Sequence, residues 1–85
     1  MTDSPSTDST WTQSDGALRR DFEFKNFVEA FGFVTQVALI AQRHDHHPDI
    51  TISWNKVALV STSHDAGSTV TERDHKLVAA VDKLL

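Results

Sequence analysis

The sequence predicts an α+β domain: a four-stranded antiparallel sheet with helices packed on one face, in the order strand-strand-helix-strand-strand-helix. Three observations carry this expectation. Asp15-Gly16 is a two-residue hairpin signal, followed by a segment whose side chains alternate between apolar and charged. Residues 27–43 place apolar side chains at helical spacing behind a capping residue. After Pro48, two short alternating segments lead into a second capped amphipathic stretch.

The elements follow in order. Residues 1–10 contain Ser, Thr and Asp with one Pro, and nothing there can bury itself. They read as a flexible leader, with a single domain over residues 11–85. After the hairpin signal, Leu18, Arg20, Phe22 and Phe24 share one face while Arg19, Asp21 and Glu23 share the other. This is a half-buried strand with one wet face. Asn26 is a helix N-cap with Glu29 three residues on, as in a capping box. The helix carries Phe27, Ala30, Phe31, Val34, Val37, Ala38 and Ala41 on its stripe, and Val28, Phe33, Leu39 and Ile40 widen it. So wide an apolar arc buries more than one side, and in 85 residues the second side meets another subunit.

Pro48 ends the helical region. Ile50, Ile52 and Trp54 alternate with Thr51 and Ser53 as the third strand. Asn55-Lys56 is the turn, and 57–64 the fourth strand. Thr71 caps the last helix, with Glu72 and Asp74 placed where the dipole favours them. Leu77, Val78, Val81 and Leu84 form its apolar stripe.

Whole-chain properties bound the function. An 85-residue domain buries a limited share of its surface, and self-association is a common remedy. Without cysteine there is no disulfide framework and no thiolate metal site. A net charge of −4, with no basic cluster longer than Arg19-Arg20, argues against direct nucleic-acid binding. The longest nearly apolar run, 37–41, is too short to cross a bilayer, and no signal-peptide pattern is visible. The expectation is a soluble cytoplasmic protein.

Four of the five histidines fall in two segments. His44, His46 and His47 end the long helix in Arg-His-Asp-His-His-Pro-Asp, and His64 ends the fourth strand in Thr-Ser-His-Asp-Ala-Gly. Both lie at element ends, where scaffolded side chains often do chemistry. Histidine titrates near neutrality, so a cluster can set a proton donor beside an acceptor. His44 reads as a dipole partner of the helix C-terminus. His75 reads as a solvated or packing residue. For His46 and His47, composition alone leaves function and a bland surface role evenly matched. Metal binding is disfavoured, because adjacent histidines point in different directions and the spacing matches no metal motif. Asp45 and Asp49 more simply orient the histidines or cap the chain. A Ser-His nucleophile at Ser61 or Ser63 lacks the required elbow motif, and there is no Gly-rich phosphate loop.

These residues also resemble a known family. The run Phe-Lys-Asn-Phe-Val-Glu-Ala-Phe-Gly-Phe-Val-Thr-Gln-Val-Ala-Leu at 24–39 resembles the long helix of pterin-4a-carbinolamine dehydratases. In animals that family is also called the dimerisation cofactor of a homeodomain transcription factor. Asp45-His46-His47-Pro48-Asp49, Trp54-Asn55-Lys56-Val57, Ser63-His64-Asp65-Ala66-Gly67 and Thr71-Glu72-Arg73-Asp74 resemble its motifs, in order and near its spacing. The resemblance covers about residues 11–82.

The resemblance implies removal of water from 4a-hydroxytetrahydropterin to give quinonoid dihydropterin, with no metal or organic cofactor. By motif, His46, His47 and His64 take the catalytic places. His46 and His64 are the principal acid and base, and His47 supports them. Asp45, Thr62, Ser63 and Asp65 match substrate-contacting positions. Trp54 fills an aromatic position that could wall the pocket, although core packing of its strand is the simpler reading. The implied assembly is a homodimer or homotetramer with edge-paired sheets and bundled long helices. The alternative is a non-catalytic dimerisation, assembly or transcriptional cofactor on the same fold, which would need no such histidine set. A third option is another pterin-binding role. Three departures stand out: Gln42 where the family has glutamate, a 64–72 loop one residue longer, and no family N-terminal helix before Trp11.

Overall fold

The computed structural model describes residues 11–85, apart from the side chain of Asp65; the expected leader at 1–10 lies outside the described residues. The elements are β1 (Thr12–Ser14), β2 (Ala17–Glu23), α1 (Phe27–His44), β3 (Asp49–Ser53), β4 (Lys56–Ser61), a 3-10 turn (His64–Ala66) and α2 (Glu72–Asp82). All strand pairings are antiparallel, and the sheet order is β1-β2-β4-β3. The predicted class and element order hold.

Local chemistry explains the boundaries. Asp15 and Gly16 both take positive φ, 53° and 76°, and close a hairpin whose register pairs Ser14 with Ala17. Asn26 Oδ1 accepts the Glu29 N–H at 2.9 Å. Glu29 reaches back to the N–H of Lys25, one residue before the cap, at 3.3 Å. Thr71 caps α2 with a complete capping box closed by Asp74.

One sheet face is covered. Leu18, Arg20 and Phe22 of β2 and Val57, Leu59 and Ser61 of β4 are buried. Arg19, Asp21 and Glu23 on the opposite face are exposed. Ala30, Phe33, Val37 and Ala41 of α1 and Leu77 and Val81 of α2 complete one core with the sheet. Each large apolar side chain fully buried there contributes about 1.5–3 kcal/mol. Trp11 and Arg20 both donate to Asp82 Oδ1 at 2.9 Å, tying the first strands to the end of α2.

Three expectations need correction. In α1, Phe33 is the buried aromatic, while Phe27 and Phe31 are about half exposed. The arc was too wide for spacing alone to choose between them. Trp54 does not extend β3. It takes φ 58° in the β3–β4 turn, which falls at Trp54-Asn55, and it is 66% exposed, so it does not pack in the core. Asn55 holds that turn to the end of β2, exchanging bonds with the backbone of Phe24. Finally, β4 stops at Ser61, and His64 opens the 3-10 turn. The backbone leaves the ladder there because Ser63 pairs with Thr69 across its own loop.

Candidate functional site

The end of α1 decides where the histidines go. Asp45 takes the left-handed conformation at φ 51°. Its N–H donates to Gln42 O at 3.2 Å, and the His46 N–H donates to Ala41 O at 3.1 Å. This pair of bonds is a Schellman motif with Asp in the place usually held by Gly. The reversal folds His46 back over the last turn of α1, where it is 6% exposed. His47 stays outside, its Nε2 3.0 Å from Gln42 Oε1. Adjacent histidines thus receive opposite environments.

Beneath His46 lies Asp74, fully buried in the first turn of α2. Its Oδ1 accepts from His46 Nε2 at 2.6 Å and from Ser61 Oγ at 2.6 Å. Its Oδ2 accepts from Ser63 Oγ at 2.7 Å and from the Thr71 N–H at 2.8 Å. Burial pushes the Asp74 carboxyl up. The bonds from His46, Ser61, the Thr71 N–H and Ser63 outweigh that and hold it well below the usual carboxylate range. An ionised carboxylate only accepts, so the proton of this bond sits on His46 Nε2. Among the described residues no hydrogen bond reaches His46 Nδ1, and His46 lines the cleft described next.

Asp45, His46, His47, Thr62, His64 and Arg73 line a cleft of about 320 Å³. Arg73 donates through Nη2 to the Asp45 carbonyl at 2.8 Å, joining α2 to the α1 reversal. Thr62 Oγ1 donates to Gly16 O at 2.6 Å, bracing the cleft wall against the first hairpin. A larger concavity of about 390 Å³ on the outer sheet face is lined by residues such as Asp21, Thr51 and Lys56, with no histidine. The smaller cleft is the one that gathers the histidines. Among the described residues, no three His, Asp or Glu side chains converge where they could hold a metal ion.

Of the residues singled out from sequence, Asp45, His46, His47, Thr62 and His64 meet at this cleft. Ser63 is buried and bonds Asp74 instead of lining the cleft. Trp54 sits in the turn at the opposite end of β3 from Asp49 and is no wall of this cleft. The Asp65 side chain lies outside the described residues. Sequence reasoning missed Asp74, Ser61 and Arg73. The Thr71-x-x-Asp74 spacing signals a cap, but nothing local signals that the same carboxylate reaches a histidine 28 positions away.

The profile of a family described as pterin 4 alpha carbinolamine dehydratase matches residues 2–84. The chain belongs to this family. A relative from Prochlorococcus marinus (strain NATL2A), named "Putative pterin-4-alpha-carbinolamine dehydratase", is 43% identical over 76 residues, 89% of this chain and 79% of the relative. A relative of the same name from Rhodopseudomonas palustris (strain BisB18) is 47% identical over 76 residues, 87% of this chain and 74% of its own. Among solved structures, a transcriptional coactivator/pterin dehydratase from Brucella melitensis superposes with a TM-score of 0.79 at 37% identity, over 86% of this chain and 79% of that one. A pterin dehydratase-like protein described as a RuBisCO assembly factor in the alpha-carboxysome gives 0.70 at 18% identity, over 89% and 87%. That second likeness concerns the fold alone. Members of the pterin 4 alpha carbinolamine dehydratase family thus share this chain's architecture across most of its length.

Proposed function

We propose that this chain dehydrates 4a-hydroxytetrahydropterin to quinonoid dihydropterin by histidine acid–base catalysis. The observation that carries the reading is the cleft where His46, His47 and His64 meet, with a buried ionised carboxylate behind His46. The reaction breaks the C4a–O bond. The departing hydroxyl takes a proton and leaves as water. The neighbouring ring nitrogen loses its proton, and its electron pair completes a C=N bond. No net oxidation occurs, so two imidazoles suffice to carry the protons.

His46 follows the end of α1 and His64 opens the 3-10 turn, so two elements bring a histidine each to the cleft, one to act as acid and one as base. His46 is oriented by Asp74, and only its Nδ1 is available to substrate. His47 supports from the rim. Thr62, whose hydroxyl proton is committed to Gly16 O, presents a lone pair to a ring N–H. Asp45 lines the same cleft, and its carboxylate is the acceptor for the amino and amide edge in this reading.

The reading includes self-association. Phe27, Val28, Phe31 and Leu39 are 45–76% exposed on the outer side of α1, a surface suited to a second copy of this chain. A non-catalytic scaffold could use that surface too, but would have no need of His46, His47 and His64 together in one cleft. The deciding experiment compares wild type with buffer on synthetic 4a-hydroxytetrahydropterin. Acceleration at neutral pH supports the reading, and its absence ends it.

A further inference from the structure

We infer that Gln42 is a positioning residue that fixes His47 as the Nε2–H tautomer and so makes His47 Nδ1 a hydrogen-bond acceptor toward the cleft. The role in turnover rests on the dehydratase reading; the tautomer itself does not. On a continuous helix, residues five apart do not share a face. The left-handed Asp45 reverses the chain and brings the two side chains together, with Gln42 Oε1 3.0 Å from His47 Nε2. A carbonyl oxygen only accepts, so the ring nitrogen facing it carries the proton. A neutral imidazole has one N–H, which leaves the lone pair on Nδ1.

Asp45 and His46 face the cleft from the α1 end, His64 from the 3-10 turn and Arg73 from α2. Among the described residues only Gln42 bonds the His47 ring. Both members of the histidine pair are therefore held at Nε2, but by unlike groups. His46 rests on a buried ionised carboxylate, and His47 on an exposed neutral amide. The amide orients without adding charge.

The test combines ring-nitrogen NMR of His47 with steady-state dehydration kinetics, for wild type, Gln42→Leu and Gln42→Glu. Gln42 is an exposed helix position, so all three fold. The expected wild-type signal is the Nε2–H form. Gln42→Leu should mix the two tautomers and lower kcat about tenfold, with a smaller change in KM. Gln42→Glu keeps an acceptor in place and should keep the Nε2–H form. A wild type with both tautomers equally populated, or a Leu variant with the wild-type tautomer and kcat, overturns the inference. Wild type without dehydration activity counts against the dehydratase reading instead, and the tautomer comparison then decides the role of Gln42 alone.

Discussion

Asp74 Oδ1 lies 2.6 Å from His46 Nε2, a carboxylate with no solvent exposure under a histidine that lines the cleft. Replacing Asp74 by Asn sets an amide that both donates and accepts among four donors. Either His46 must present a bare Nε2 or a buried donor loses its acceptor. The expected result is a fall in kcat of roughly 10²–10⁴, with a wild-type circular dichroism spectrum. Ring-nitrogen NMR of His46 should show the tautomer change.

The same carboxylate gives a pH prediction. Its folded pKa lies below the ordinary value of about 3.9. Below that ordinary value the unfolded chain takes up a proton that the folded chain refuses, so stability falls with falling pH. The contribution is complete above about pH 5 and is lost progressively as pH drops toward the depressed pKa. Urea midpoints measured at steps below pH 5 should fall more steeply for wild type than for Asp74→Asn. Equal slopes would mean that Asp74 is not held ionised by the fold.

Asp45 holds the reversal that separates the two histidines. Glycine adopts its left-handed backbone without a side-chain penalty, and a β-branched residue does not. Asp45→Gly should stay within about 1 kcal/mol of wild type. Asp45→Val should lose about 1–2 kcal/mol, read as a shift in the urea midpoint. Both should weaken pterin binding if the Asp45 carboxylate contacts substrate.

Gly16 sits against the loop that carries His64. A Cβ there would collide with the Ser68 carbonyl, and φ is 76°. Gly16→Ala should therefore cost at least about 2 kcal/mol. It should also shift the amide resonances of residues 62–69, because Thr62 bonds Gly16 O and the turn braces that loop. Shifts confined to β1 and β2 would show that the brace is weak.

The outer side of α1 gives an assembly prediction. Sedimentation should find an oligomer at micromolar concentration. Phe31→Asp, on the exposed side, should dissociate it while leaving the monomer folded. A wild-type monomer would contradict the proposed self-association.

Much of the fold was legible because it is written locally. Asp15-Gly16, Asn26 and Thr71 each specify a turn or cap through their own backbone preferences, and strand alternation named the inner face of β2. Phe33 and Trp54 were not legible. α1 is apolar on nearly all sides, so only docking on the sheet selects Phe33 over Phe31. At Trp54 the alternation continues past the residue where the chain turns. The cleft histidines were visible as a cluster at element ends. Asp74 was visible only as a cap, because its second duty is a tertiary contact. Gln42 was noticed as a departure from the family, but its bond to His47 depends on the reversal at Asp45.

The central claim is that the cleft histidines carry the protons. The most direct measurement is kcat/KM for dehydration of 4a-hydroxytetrahydropterin by wild type beside His46→Ala, His47→Ala and His64→Ala. His46→Ala and His64→Ala should each lose about 10²-fold or more, and His47→Ala less. Retention of wild-type kcat/KM by both His46→Ala and His64→Ala would contradict it.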